Sequence, residues 1–333
     1  MSMRRCVLRS LLGPFLALSV CLSACGGSDN PRPTGPLADA LAEIGGGGAH
    51  GSLGVGWTEP RLARAAGISP ALMSRALGPN AETVLDAAPT LRRRFGMDPF
   101  AAERLMSIGG SYAFGLRLDG LPAPGLKRAL LDAGGQVRPG DGVDLMDVGN
   151  YAQVPAPLLR AGILGLGARD AFSPDLTVLA ISDTSRPSLL GENGRLIDQP
   201  IYRAAADCLG DVAAARMVPD KLLLSVEVGI ELVAIGLERD RQVLCVLGGT
   251  AERSRQVAEG LRASLAPGAR DPRTGEPMSE LASGVDVTSG SYEDVQVVRA
   301  ELTPVGGPDF FFGSIARGSL VQLINGQTAP AGQ

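Results

Sequence analysis

Histidine and lysine are nearly missing from this chain of 333 residues: His50 stands alone, and Lys127 and Lys221 face 29 arginines. One histidine gives no zinc-ligand set of the usual spacing, and a Ser-His-acid triad would depend on His50 alone. Two lysines, neither after a glycine-rich loop, leave no Walker-type phosphate loop and no Ser-x-x-Lys dyad. Aromatic residues are 4% with Trp57 the single tryptophan, which speaks against sugar or base stacking platforms. No long hydrophobic run occurs either. The apolar stretch over 11–22 is shorter than the roughly 20 residues a spanning helix needs.

Other motifs fail on context. Gly46-x-Gly48-x-x-Gly51 meets the dinucleotide pattern in letters, but the phosphate mechanism needs a strand before it and a helix after. Here a helix is expected before and a strand after, so the match is discounted, and His50 reads as an exposed loop residue. Gly109-Gly110-Ser111-Tyr112-Ala113 lacks the last glycine of a nucleophile elbow. Asp141, Asp144 and Asp147 suggest a cation cluster, yet on an extended strand Asp144 and Asp147 face opposite sides. They read as solvated carboxylates. No cofactor is called for.

What the chain does have begins at its start. Arg4, Arg5 and Arg9 precede a short apolar run interrupted by Gly13 and Pro14, and Leu22-Ser23-Ala24-Cys25 follows, with Gly26, Gly27 and Ser28 beyond. This leader resembles the lipobox signal peptide of bacterial lipoproteins. The resemblance implies that residues 1–24 are removed and that Cys25 is acylated, anchoring the protein outside the cytoplasm on the cell membrane. Met3-Arg4-Arg5-Cys6-Val7-Leu8-Arg9 is also similar to a twin-arginine signal, so export of folded or of unfolded chain both stay open. The mature part, through Pro200-Ile201-Tyr202-Arg203-Ala204-Ala205-Ala206-Asp207-Cys208-Leu209-Gly210-Asp211 and Gly275-Glu276-Pro277-Met278-Ser279-Glu280-Leu281, resembles uncharacterised lipoproteins of GC-rich Gram-positive bacteria. That resemblance bears on location and not on mechanism.

Losing the leader leaves 28 basic and 35 acidic residues, a net charge of −7, which disfavours nucleic acid as a partner. It also leaves Cys208 and Cys245 as the cysteines of the body. Ile201, Ala205, Cys208 and Val212 recur at helical spacing, and Cys245 lies in the apolar run of 241–248, a central strand. Two separate buried thiols or a bridge are both compatible with that placement; an even pair in an oxidising compartment favours the bridge.

Residues 25–35 read as a flexible tether, followed by an N-terminal half over 36–185 and a C-terminal half over 186–333. Helices are expected over 36–44, in turns through 59–103, and over 124–133, 199–217, 251–265 and 309–323, the last with Asp309 as its N-cap. Strands are expected over 53–57, 111–118, 143–148, 176–182, 230–238, 242–247, 285–288 and 295–302, the last two joined about Ser289-Gly290-Ser291. Both halves then read αββαββ, with 112–133 and 242–265 corresponding as strand, turn and helix. The expected class is α+β: two similar halves, each an antiparallel sheet with helices packed on one face.

Phe310-Phe311-Phe312 is expected to lock the last helix to the core. The apolar loop carrying Leu158, Leu159, Ile163, Leu164 and Leu166 must cover core, a pocket or a partner. Without catalytic constellations, the chain reads as a non-catalytic envelope module binding a small apolar ligand, through those five residues, or an envelope protein. The alternative is an envelope hydrolase working through paired carboxylates, roughly 5 to 9 Å apart for a sugar substrate.

Overall fold

The computed structural model describes residues 32–46, 53–109, 114–149, 155–161, 168–181, 185–192, 194–223, 229–305 and 309–328. The leader with Cys25, together with His50, Gly48, Gly51 and Ser111, lies outside the described residues. In chain order the N-terminal elements are α1 (Pro36–Glu43), β1 (Gly54–Thr58), α2 (Pro60–Ala65), α3 (Pro70–Leu77), α4 (Pro79–Asp86), α5 (Ala88–Phe95), β2 (Arg104–Gly109) and β3 (Phe114–Asp119). Then come α6 (Pro124–Asp132), β4 (Gln136–Pro139), β5 (Asp144–Asp147), α7 (Ala156–Arg160), β6 (Arg169–Phe172), β7 (Leu176–Ala180) and α8 (Ser185–Leu189). The rest comprises α9 (Pro200–Leu209), β8 (Ala214–Pro219), α10 (Asp220–Leu223), β9 (Leu232–Leu237), β10 (Gln242–Leu247), α11 (Ala251–Ser264), α12 (Met278–Leu281), β11 (Ala282–Tyr292), β12 (Val295–Pro304), α13 (Phe310–Arg317) and α14 (Leu320–Ile324).

The class is mixed α+β, and the strands form one antiparallel sheet of twelve, ordered β11-β12-β10-β9-β8-β1-β2-β3-β7-β6-β5-β4. Two sheets were expected; the join between them is the antiparallel pairing of β1 with β8, Val55 opposite Met217, Gly56 opposite Arg216 and Trp57 opposite Ala215. Helices were expected on one face and cover both. Val55, Trp57, Met106, Ile108, Val243 and Cys245 pack with α1 and α9 on one side. Leu244, Val246, Val298 and Ala300 pack with α3, α11, α13 and α14 on the other, and Leu105, Leu116 and Leu118 pack with α4, α5 and α6. The cause is visible in β9 and β10, which are buried at every position. A strand without polar alternation has no face to give to water.

Three local expectations are corrected. The helix expected over 199–217 ends at Leu209, because Gly210 turns the chain at a φ of 67° that costs other residues strain. Residues Ala214–Pro219 are instead the central strand β8. The β11–β12 hairpin runs past Ser289-Gly290-Ser291, which pair with Val298, Val297 and Gln296. It turns at Glu293, the one described non-glycine residue with positive φ. Asp309 occupies the N-cap position of α13 without capping it through its side chain; its carboxylate pairs with Arg75. The free N–H of Phe311 goes to Oε1 of Gln242 at 2.8 Å, a buried side chain from β10. Phe310, Phe311 and Phe312 are all buried, as expected.

Cys208 of α9 and Cys245 of β10 form a disulfide across a Cα separation of 6.3 Å. It ties the helix layer to the C-terminal half of the sheet. Elsewhere on that face, Arg104 and Arg117 hold Glu43 and Asp119 at 2.5–2.6 Å. Arg117 also donates to the carbonyls of Glu43 and Leu189, so the end of α1 and the end of α8 are clamped to β2 and β3.

Candidate functional site

The join of β1 and β8 also borders a cavity. On the α3 side of β1 the residues are Gly54 and Gly56. A Cβ on Gly56 would sit 2.4 Å from the Leu77 Cα and 2.5 Å from the Ser107 Oγ. Glycine therefore lets the end of α3 approach the sheet backbone, and the Ser107 hydroxyl donates to the Leu77 carbonyl there. Gly78 follows with a φ of 87°, swinging the chain directly into α4, which starts at Pro79.

Between that bend and the glycine floor lies a cavity of about 320 Å³, with walls that include Leu77, Phe114, Val218 and Leu222. Its charged wall is Arg216, in register with Gly56. The guanidinium lies along Gly78, its Cζ 3.7 Å from where a Cβ would be. It donates to the Arg75 carbonyl at 3.4 Å; no carboxylate among the described residues pairs with it. Burial pushes its pKa down, while Glu82 pulls it back up.

A second cavity of about 530 Å³ shares Gly78, Pro79 and Arg216 with the first and is lined also by Arg75, Glu82, Asp309 and Arg317. Arg75 is engaged with Asp309. Arg317 presents a buried Nε that meets no partner among the described residues.

The residues singled out from the sequence fall elsewhere. Leu158 is fully buried and belongs to the core beneath α6, and Leu159 is 54% exposed. Neither lines the central cavity. Ile163, Leu164 and Leu166 lie outside the described residues. Asp144 pairs with Lys127 and Asp147 with Arg186, the divergence expected of an extended strand. Among the described residues no three His, Cys, Asp or Glu side chains converge as metal ligands. A polar groove beside the disulfide holds Asp207, Asp211, Glu238 and Arg241. Burial raises the Asp207 pKa, while Glu238 is taken by Arg241.

Asp170 stands outside all of these cavities. It lies on β6 and is fully buried; its Oδ1 accepts from the Ala180 N–H at 3.2 Å. Its Oδ2 meets no partner among the described residues. Burial pushes its pKa well above the ordinary 3.8, against the pull of the Ala180 hydrogen bond and of Arg186. Arg186 donates to the Asp147 carboxylate at 2.6 Å and to the backbone carbonyls of Met146 and Asp170. The folded chain thus holds this proton more tightly than the unfolded chain. Stability from this group is full below about pH 4 and falls as pH rises toward the folded value. Asp170→Asn keeps the acceptor and removes the titration. Urea midpoints of the two proteins are expected to agree near pH 4 and to separate in favour of the variant at neutral pH. Parallel curves would show that the carboxyl titrates normally.

Arg216 was missed in the sequence because only register exposes it. It stands in an Ala-Ala-Arg-Met-Val run that reads as helix, and nothing local places a glycine opposite it. Comparison of the chain with known protein families, with curated proteins and with solved structures finds no match.

Proposed function

We propose that this protein is a lipid-anchored module of the cell envelope that binds a small, largely apolar ligand in the cavity between β1, β8 and the α3–α4 bend. The observation carrying this reading is the cavity itself: about 320 Å³, apolar on most sides, floored by the backbone of Gly54 and Gly56. Ligand sites are commonly of this size, apolar with a few placed polar groups. Location is supported by the resemblance of the leader to lipoprotein signals and by the Cys208–Cys245 bond, since disulfides persist in oxidising compartments. Among the described residues no helix is long and apolar enough to cross a membrane. Attachment in this reading is through acylated Cys25.

The cavity also lies where a duplicated fold would put it. In the N-terminal half α1 leads into β1, β2 and β3, then α6, then strands that start at the sheet edge with β4 and return inward. In the C-terminal half α9 leads into β8, β9 and β10, then α11, then β11 at the opposite edge, returning through β12. Helices α1 and α9 share one face, and α6 and α11 share the other. Each half carries one more strand before its second helix than αββαββ allows. The stretches 112–133 and 242–265 correspond to β3–α6 and β10–α11. The seam of the two halves is the β1–β8 pair, and the cavity sits on it.

Native mass spectrometry of the protein purified from its own host tests the reading. A bound small molecule that leaves on denaturation is expected. Homogeneous ligand-free protein from native membranes would count against it.

A further inference from the structure

We propose that the ligand of the central cavity is an amphiphilic carboxylate, its apolar chain in the glycine-floored slot and its carboxylate held by the guanidinium of Arg216. This rests on the reading of the cavity as a ligand site and adds the chemical class.

Six other arginines, Arg104, Arg117, Arg186, Arg203, Arg241 and Arg299, each meet a carboxylate at 2.8 Å or closer. Arg216, half-buried in a central strand, meets none among the described residues. On its own face of β8 its neighbours are Ala214 and Val218, both buried and apolar. An aliphatic residue would fill that place without the cost of desolvating a charge. Among the described residues the fork makes a single long contact, 3.4 Å to the Arg75 carbonyl, so most of its five donors have no partner there.

The surroundings set the sign and number of charges. The adjoining cavity is lined by Arg75, Arg216 and Arg317 against Glu82 and Asp309. Arg75 and Asp309 satisfy one another. That leaves two guanidiniums facing Glu82, one positive charge in excess. A monoanion balances it, and a carboxylate matches the planar fork in two parallel hydrogen bonds. Apolar walls on the other side of Arg216, from Leu77, Phe114, Val218 and Leu222, suit an aliphatic chain attached to that carboxylate. A free inorganic anion would leave those walls uncovered.

Calorimetric titration of the mature lipidated protein in nanodiscs, with empty nanodiscs as the blank, separates the possibilities. The probes are decanoate, decanol and inorganic phosphate. Decanoate is expected to bind about tenfold or more tightly than decanol, the margin of a charge-assisted pair. Arg216→Met, which keeps an apolar stem, is expected to remove that margin and leave decanol binding unchanged. Equal binding of decanoate and decanol would overturn the carboxylate and leave the apolar-ligand reading standing. Binding of neither would overturn both. Phosphate binding as tightly as decanoate, and lost in Arg216→Met, would overturn the amphiphile. The decanoate-to-decanol ratio of the unmodified protein decides the matter even where the methionine variant does not fold.

Discussion

Replacing Cys208 and Cys245 together by alanine is expected to lower the stability of this protein by about 4 kcal/mol, read as a shift of the urea midpoint at constant slope. The bond closes a segment of 37 residues in sequence separation, and the figure follows from the chain entropy that such a closure removes from the unfolded state. Domains are stable by only about 5–15 kcal/mol, so the loss is a large fraction of the whole. The segment closed by the bond contains β8, which carries the seam and one wall of the cavity. Its loosening is expected to weaken ligand retention as well. Cys208 is 8% exposed and Cys245 is fully buried, so reductant alone should act slowly on the folded protein and quickly in urea. A double variant with an unchanged midpoint would show that the bond does not constrain the unfolded chain.

Cys25→Ala is expected to abolish incorporation of radiolabelled palmitate and to move the protein out of the membrane fraction entirely. Each buried methylene contributes about 0.8 kcal/mol to membrane attachment, and one chain alone binds only marginally. The three chains implied by the lipoprotein resemblance hold without measurable release, so the change is all or none. The folded body is expected to be unaffected, with its disulfide formed and its urea midpoint unchanged. Label that persists after Cys25→Ala would place the anchor elsewhere. Absence of label from the unaltered protein would remove the lipoprotein reading and its location, leaving the cavity to be judged by its ligands alone.

Periodicity along the chain was enough for the elements that satisfy themselves locally. The Leu232–Leu237 and Gln242–Leu247 strands, the long helix Ala251–Ser264 and the buried Phe310-Phe311-Phe312 run each follow from apolar spacing within a few residues. The bridge between Cys208 and Cys245, favoured over two separate buried thiols because the pair is even in an oxidising compartment, is formed. Strands β2, β4, β6 and β8 were not recognised; β4 and β6 have only four residues, while β2 and β8 are as long as β9 and β10. In β8 the helical pattern of α9 ran on past Gly210, because helix-favouring alanines fill both elements.

Tertiary structure alone decided three things. It merged two expected sheets into one, since the β1–β8 pairing joins strands that are remote in sequence and carries no local signal. It passed the capping of α13 from Asp309 to Gln242, because a carboxylate within reach of Arg75 gains more from that charge than from a backbone N–H. It set Arg216 opposite Gly56, leaving a guanidinium beside empty space. Hydrophobic spacing reports which side of an element is buried; what lies across from a given residue depends on the register of strands brought together from far along the chain.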